Sequence, residues 1–199
     1  MLSIKQYIEN TKKNIKENHP KENTDTIIII SIHLQKLFVV TKNEIDKIYD
    51  VSTSKFGEGN KNDSFQTPLG LHHIKEKIGD DLPINTILRG RKIVNNGLTS
   101  DDLDKKCYED FKNKHFKNFD DVITSRILWL QGCQMGVNLG GEVDTFKRFI
   151  YIHGTIHEDK IGQKASHGCI RMKNDDVISL YNNICEGTLI YITNEGIIG

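Results

Sequence analysis

Residues 26–40 read TIIIISIHLQKLFVV, and this stretch decides the fold class. Its isoleucines and the later LFVV run are β-branched and aromatic residues, which favour strands over helices. Such an apolar run is typical of a buried strand, and it is too short to cross a bilayer. Comparable runs recur downstream between turn residues: IDKIYDVST from Ile45, INTILRGRKIV from Ile84, RFIYIHGT from Arg148 and GTLIYIT from Gly187. The sequence therefore predicts a mainly β domain with flanking helices, an α+β class.

A polar helix is predicted ahead of this β-rich body. Three isoleucines share one helical stripe among Lys, Glu and Asn: Ile4, Ile8 and Ile15. Pro20 ends that helix, because the residue before a proline is pushed out of the helical region. We therefore divide the chain into a polar, helical appendage over residues 1–24 and one main domain over residues 25–199.

Two further helices are predicted later in the chain. The first would be capped by Asp120 or Asp121 and continue through ITSRILWLQGC, which starts at Ile123. The second would be capped by Asn174 and continue through DDVISLYNNIC, with acidic residues in its first turn and Gly187 after its end.

Charge and composition exclude several classes of partner. Lys plus Arg and Asp plus Glu are equal at 27 each, so no net positive field would gather nucleic acid or an anionic membrane. The four cysteines form no CxxC pair, and we predict neither a metal site nor a cofactor. Residues 1–24 contain no apolar run of signal-peptide length, which predicts a cytoplasmic protein. If the true start lies upstream, export to the periplasm or beyond is expected instead.

The chemistry is concentrated between Tyr151 and Asn174, YIHGTIHEDKIGQKASHGCIRMKN. A nucleophilic cysteine needs a nearby imidazole to take its proton, and either His153 or His167 could supply it to Cys169. Adjacent side chains of an extended segment point in opposite directions, so His167 is poorly placed, whereas His153 approaches from a separate strand. Gly168 lacks a Cβ and permits a turn whose backbone N–H groups form an oxyanion hole.

The run SHGCIRM, preceded by the IHG element, resembles the signature of L,D-transpeptidases of the YkuD type. Further blocks of the chain look like the same family: IIIISIHLQKLFVV, VSTSKFGEG with TPLG after it, RILWLQGC and RFIYIHGT. The resemblance extends from about Thr26 to Ile192. It implies a catalytic domain built as a β-sandwich or barrel, with the active-site cysteine in a cleft.

The resemblance also implies roles for individual residues. Cys169 matches the nucleophile that forms a thioester, His153 the general base, and the Gly154 carbonyl the group that orients its imidazole. The oxyanion turn would comprise His167, Gly168 and Cys169. Two further positions would serve substrate binding: Ser166, which supports the loop, and Arg171, whose guanidinium could hold a carboxylate.

The implied substrate is the tetrapeptide stem of peptidoglycan or of a soluble muropeptide, cleaved between an L-centre and a D-amino acid. Water as acceptor gives L,D-carboxypeptidation, and an amine gives transpeptidation. A cytosolic location favours carboxypeptidase action, while an exported protein would form 3→3 cross-links. A non-catalytic cell-wall-binding module is a third hypothesis, which the retained Cys169 and His153 disfavour.

Several other motifs have weaker interpretations. Ser52 to Lys55 fits the S-x-x-K pattern of serine β-lactamases, but the partner motifs are missing and a strand-like segment precedes it. Substrate contact stays open for four residues: Arg89, Arg91, Arg126 and Trp129. The remaining cysteines, Cys107, Cys133 and Cys185, are expected to be small buried hydrophobes. Surface placement is expected for three histidines: His72, His73 and His157.

Overall fold

The computed structural model describes residues 2–20, 22–94, 122–195 and 197–198. The strands are β1 Leu2–Ser3, β2 Thr26–Ser31, β3 Lys36–Thr41, β4 Glu44–Asp50, β5 Gly70–Ile78, β6 Ile87–Arg89, β7 Lys92–Ile93, β8 Ile123–Gly132, β9 Tyr151–Thr155, β10 Ile170–Met172, β11 Leu189–Thr193 and β12 Ile197–Ile198. The α-helices are α1 Ile4–Asn18 and α2 Asn174–Asn183, and short 3₁₀ turns cover Gly141–Val143 and Glu158–Lys160. No helix among these described residues is long and apolar enough to span a membrane.

In the described part of the chain, ten strands form one sheet. Its main path runs β10-β9-β8-β5-β11-β2-β3-β4, with β6 pairing to β8 and β7 to β6. The β9/β10 and β2/β11 pairs are parallel, and the others are antiparallel. The two ends of the path meet, because the Ser52 and Arg171 backbones, just past β4 and on β10, exchange two hydrogen bonds of 2.9 Å. The mainly β architecture predicted from the sequence is confirmed.

Both faces of β2 are buried, which explains its unbroken apolar run. Ile28 and Ile30 belong to one hydrophobic cluster, which Leu180 and other residues of α2 cover. Ile27 and Ile29 point into a second cluster, which also receives residues of α1: Tyr7, Ile8 and Ile15. Because α1 shares a core with the sheet, its separation from the domain at residue 24 stays a prediction.

The helix predicted from Ile123 is wrong, since residues 123–132 form β8. This strand lies between β5 and β9, and seven consecutive residues from Thr124 to Leu130 are buried. A strand that is covered on both faces does not alternate apolar and polar residues, and that alternation is the usual sequence signal for a strand. The proposed caps Asp120 and Asp121 lie outside the described residues.

The second predicted helix exists, but its cap differs. α2 starts at Asn174 itself, and Lys173 is the residue before it in extended conformation. The Asn174 side chain is instead used inside the protein, where it holds the strand that carries His153.

Two expectations about exposure are also wrong. His72 is fully buried in β5, because Gly70 O and Thr145 Oγ1 satisfy its two ring nitrogens at 3.0 and 3.1 Å. Cys185 is exposed in the turn after α2. Cys133 is half-buried, as are His73 and His157, and Cys107 lies outside the described residues.

Candidate active site

The parallel pairing of β9 and β10 brings Cys169 and His153 to one face of the sheet. Ile170 pairs with Ile152 and Arg171 with His153, so Cys169, immediately before β10, lies beside Tyr151. Paired residues of neighbouring strands project from the same face, and alternate residues share that face. The thiol and the imidazole are therefore two positions apart along one face.

The tautomer of His153 follows from a single hydrogen bond. Its Nδ1 lies 2.8 Å from the carbonyl oxygen of Gly154, and the ring is 2% exposed. A carbonyl oxygen only accepts hydrogen bonds, so Nδ1 carries the proton and Nε2 of the neutral ring is the basic nitrogen. This is the orientation that a general base for the thiol requires.

A buried polar network holds Gly154 in place. Asn174 Oδ1 accepts hydrogen bonds from Thr124 Oγ1 at 2.7 Å and Ser125 Oγ at 2.6 Å. Asn174 Nδ2 donates to the carbonyl of Thr155 at 2.9 Å and to Glu158 Oε1 at 2.8 Å. The β8 strand bulges between Thr124 and Ile127, opposite the step from Gly154 to His153, and Ser125 there has φ 63°. Bulges are frequent beside active sites, where they re-aim a side chain.

The sulfur of Cys169 lies against the backbone of the segment that enters β9. The Tyr151 N–H donates to Sγ at 3.4 Å, and the thiol donates to the carbonyl of Phe149 at 3.5 Å. Cys169 is partly exposed and packs on a cluster that contains Trp129 and Tyr151. The thiol is therefore accessible on one side and held by backbone groups on the other.

The turn before Cys169 is held by its own side chains. Ser166 Oγ donates to the carbonyl of Cys169 at 2.5 Å and accepts from the N–H of Gly168 at 3.3 Å. Gly168 has φ 121°, so any larger residue would be strained there, and its Cβ, 3.1 Å from Ile150 Cδ1, would also require that side chain to shift. The Gly168 N–H, expected to bind an oxyanion, thus forms a long bond within the turn.

Residues 51–54, the VSTS segment after β4, hold this turn through backbone hydrogen bonds. The carbonyl of Thr53 accepts from the N–H groups of Ala165 and Ser166 at 2.8 and 2.9 Å. Ser52 is fully buried and donates its hydroxyl to the carbonyl of Gln163 at 2.7 Å. A buried, engaged hydroxyl has no access to substrate, which agrees with rejecting the S-x-x-K interpretation.

Residues 25–192 match the model of the YkuD family, described as the L,D-transpeptidase catalytic domain. The chain belongs to this family. Over 48 residues this L,D-transpeptidase domain is 46% identical to the putative L,D-transpeptidase YqjB of Bacillus subtilis, which covers 24% of this chain and 27% of that protein. It is 42% identical over 48 residues to the probable L,D-transpeptidase ErfK/SrfK of Escherichia coli, covering 24% and 16%.

Two solved structures are similar to the L,D-transpeptidase domain. A structure of LdtMt1 in complex with imipenem has a TM-score of 0.49 and 16% identity, covering 85% of this chain and 59% of the other. A mutant L,D-transpeptidase of Enterococcus faecium has a TM-score of 0.49 and 13% identity, covering 88% and 52%. The matches therefore span less than two thirds of each of these relatives.

Arg148 of the L,D-transpeptidase domain was not identified from the sequence. Its guanidinium donates to the carbonyls of Gly59 at 3.1 Å and Gln66 at 2.7 Å, and to Ser64 Oγ at 3.3 Å. Burial lowers the pKa of Arg148, and negative charge on Cys169 opposes this change. The Arg148 cation therefore interacts electrostatically with the Cys169 thiol. Its hydrogen bonds also tie residues 59–66 to the start of the segment that enters β9. No motif marks Arg148, because its partners, two backbone carbonyls and one serine hydroxyl, are far away in sequence.

The residues proposed for substrate binding occupy different environments. Ser166 and Arg171 are 1% and 3% exposed, so little of either side chain is accessible, and their substrate roles stay predictions. Arg126 is 6% exposed, and its Nη1 donates to the carbonyls of Leu82 and Ser125 at 2.8 and 2.9 Å, which gives it a structural role. Arg91 and Trp129 stack beside Cys169, whereas Arg89 is exposed on the hairpin. Among the described residues, no group of three His, Cys, Asp or Glu could hold a metal ion.

Proposed function

We propose that this domain transfers acyl groups of peptidoglycan stem peptides through a thioester on Cys169. The observation that carries this proposal is the hydrogen bond from His153 Nδ1–H to the Gly154 carbonyl, because it leaves a basic Nε2 on the face that carries the thiol. A cysteine beside such an imidazole is the arrangement used for nucleophilic catalysis on carbonyl groups.

Acylation proceeds in two proton transfers. His153 Nε2 takes the thiol proton, and the Cys169 sulfur attacks the carbonyl carbon between the L-centre and the terminal D-residue. The tetrahedral intermediate collapses as the C–N bond breaks, and the imidazolium gives its proton to the leaving amine. The products are a thioester on Cys169 and a released D-amino acid.

The turn before the nucleophile supplies oxyanion donors in this proposal. The Gly168 N–H is held to Ser166 Oγ at 3.3 Å, a long bond that an oxyanion can replace with a stronger, charge-assisted one. The N–H of Cys169 is the second donor that the turn provides. Arg148 favours the thiolate through its positive charge.

Deacylation reuses the same groups. Water or an amine attacks the thioester carbonyl, His153 Nε2 removes the proton of the attacking atom, and the sulfur leaves as the thiolate and is reprotonated. Water gives a shortened stem peptide, and an amine gives a new peptide bond. Both outcomes follow from the same acyl-enzyme, so product analysis must identify the acceptor. The preference for water stays a prediction from the sequence.

Product analysis with a disaccharide tetrapeptide tests the proposal. The protein is incubated with this substrate, either alone or with an added D-amino acid, and should release the terminal D-residue in both cases. Mass spectrometry should find the tripeptide where water is the acceptor and the exchanged tetrapeptide where the D-amino acid is the acceptor. Cys169→Ala should produce neither while retaining the wild-type circular dichroism spectrum. D-residue release by Cys169→Ala at the wild-type rate would contradict the proposal.

Covalent labelling by a carbapenem gives an independent readout of the nucleophile. The β-lactam carbonyl should be attacked as the stem-peptide carbonyl is, adding one adduct to the intact mass. The adduct should vanish in Cys169→Ala and persist in Cys185→Ala, a matched control because Cys185 is exposed. An adduct at Cys185, Cys133 or Cys107 instead would assign the reactive thiol elsewhere.

A further inference from the structure

The β6–β7 hairpin places Arg91 against an aromatic wall beside the nucleophile. The Arg91 Cζ lies 4.5 Å from the centre of the Trp129 ring and 5.1 Å from that of Phe149, and Nη1 donates to the Tyr151 hydroxyl at 3.0 Å. Stacking and one hydrogen bond hold the guanidinium in one orientation.

Tyr151 connects this guanidinium to the thiol, because it contacts both groups. The backbone N–H of Tyr151 donates to Cys169 Sγ, while the hydroxyl at the other end of the same residue accepts from Arg91. In a stem peptide attacked at its last peptide bond, the terminal carboxylate follows the scissile carbonyl by one residue, about 3.8 Å of chain. A substrate that extends from Cys169 along this aromatic wall would therefore carry its carboxylate toward Arg91.

The charge of Arg91 is not neutralised by the described residues. Within them, no carboxylate lies at ion-pair distance, and the Tyr151 hydroxyl is the one hydrogen-bond acceptor of its guanidinium. A guanidinium has five donors, so several remain for a ligand. Partial exposure keeps those donors accessible.

Phe149 adds a second indication of a ligand site on this wall. Its ring is 51% exposed although it lies next to the nucleophile, and its backbone has φ 56°, a strained value for a bulky residue. Such strain is concentrated at ligand-binding positions. The Phe149 carbonyl also accepts the thiol hydrogen bond of Cys169, so the strained residue touches the nucleophile directly.

We infer that Arg91, held on Trp129 and Tyr151, binds a carboxylate of the acyl donor, with Phe149 contacting its apolar part. The planar fork of arginine suits a bidentate carboxylate. The other guanidinium groups near the site suit this role less well, because Arg126 and Arg148 are engaged by backbone carbonyls and Arg171 is 3% exposed. This inference rests on the proposed function, and the carboxylate belongs either to the terminal D-residue or to a side chain of the stem peptide.

Binding to Cys169→Ala tests the subsite without turnover. Trp129 is the one tryptophan in the sequence and lies under Arg91, so its fluorescence reports occupancy. Three tetrapeptides are compared: one with all carboxylates free, one with a C-terminal amide and one with the side-chain carboxylate amidated. The amide that removes the bound carboxylate should weaken binding roughly tenfold to a hundredfold and so identify which carboxylate Arg91 holds.

Arg91→Gln in the same background should remove the preference for the free acid, and Arg91→Lys should retain part of it. Arg89→Gln is the matched control from the same hairpin and should keep the full preference. Equal affinity for all three peptides with Arg91 present would overturn the inference, as would a preference that survives in Arg91→Gln. The peptide series needs no change at Arg91, so a folding defect in that variant leaves the test intact.

Turnover by the unaltered protein separates this inference from the proposed function. If the protein cleaves the free-acid and amidated tetrapeptides equally well, the proposed function stands and the Arg91 subsite is wrong. If the protein binds the free acid more tightly than the amides but cleaves none of the peptides, the Arg91 subsite stands and the proposed function is wrong.

Discussion

The side chain of Asn174 fills the space in which a Cβ on residue 154 would lie. An ideal Cβ at Gly154 would be 2.5 Å from Asn174 Oδ1 and 2.6 Å from the carbonyl oxygen of Thr124. Asn174 is held by four hydrogen-bonding partners and Thr124 O is a backbone atom, so neither moves easily. The carbonyl that orients His153 is therefore fixed by a close contact that requires glycine.

Gly154→Ala should reduce both stability and the rate of acylation. The clash should cost about 1–3 kcal/mol of the free energy of unfolding and displace the carbonyl that orients the His153 imidazole. Urea unfolding and kcat for D-residue release measure the two effects. Gly187→Ala is the control, since φ is 83° there and its Cβ meets nothing within 4 Å. It should lose stability without a loss of kcat, and an unchanged kcat in Gly154→Ala would show that this carbonyl does not position the base.

The strand content was predictable, because runs of β-branched residues identify strands locally. A His-Gly element followed by Ser-His-Gly-Cys also predicted that His153 and Cys169 lie together, and the two residues share one face of the sheet. Their catalytic roles stay predictions. What failed depends on tertiary burial. The pattern of β8 predicts a helix, because burial on both faces removes the alternation that would mark a strand. The sequence predicts a surface position for His72, because its buried partner Thr145 is remote in sequence.

Arg91 and Arg148 show a second limit of sequence reasoning. Both act through partners that are remote in sequence: aromatic rings on β8 and β9 for Arg91, and carbonyls of residues 59 and 66 for Arg148. The sequence leaves Arg91 as one of four open candidates and gives no signal for Arg148. Their contacts form only when the sheet is assembled, because no spacing rule connects either residue to Cys169.

Replacing each histidine in turn identifies the general base. His153→Ala should lower the acylation rate by about 10²-fold or more, because the thiol loses its proton acceptor. His167→Ala should cost less than about tenfold, since its ring lies 5.6 and 6.1 Å from the ring centres of Phe56 and Phe65. Single-turnover kinetics with a stem peptide measure both rates. The opposite ranking would transfer the role of base to His167.

Arg148→Gln should make Cys169 react only at higher pH. Removing the nearby positive charge disfavours the thiolate, so the pH midpoint of iodoacetamide labelling should rise. Peptide mapping isolates labelling at Cys169. Arg148→Lys should keep the midpoint close to wild type while losing the forked contacts to Gly59 and Gln66, so it separates charge from loop anchoring.

Lys147→Gln is the matched control for the loss of one positive charge, because the neighbouring Lys147 is exposed. Its labelling midpoint should equal that of the wild type. An equal shift in the Lys147 and Arg148 variants would mean that only the overall charge matters and that Arg148 has no particular effect on the thiol.

His72 should make the folded protein sensitive to mild acid. Burial lowers the pKa of His72 from 6.5 to about 4 in the folded state. Nδ1–H donates to the Gly70 carbonyl, so Nε2 accepts from the Thr145 hydroxyl; protonation would reverse the direction of that second bond and place a positive charge in a fully buried site. Between pH 6.5 and pH 4 the unfolded chain binds a proton at His72 that the folded chain does not. Stability therefore falls as the pH drops through this window and levels off below it.

The full effect of this proton is about 3 kcal/mol, of which about 2 kcal/mol should be lost between pH 7 and pH 5, above the range in which most carboxylates titrate. Urea midpoints measured over that range give the slope. His72→Gln should have a shallower slope than the wild type, whatever its stability at pH 7, because the group that titrates has been removed. His33→Gln should keep the wild-type slope, since His33 is exposed. If the His72 and His33 variants gave the same slope, acid sensitivity would have to come from other groups, and the buried imidazole would be protonated without cost to the fold.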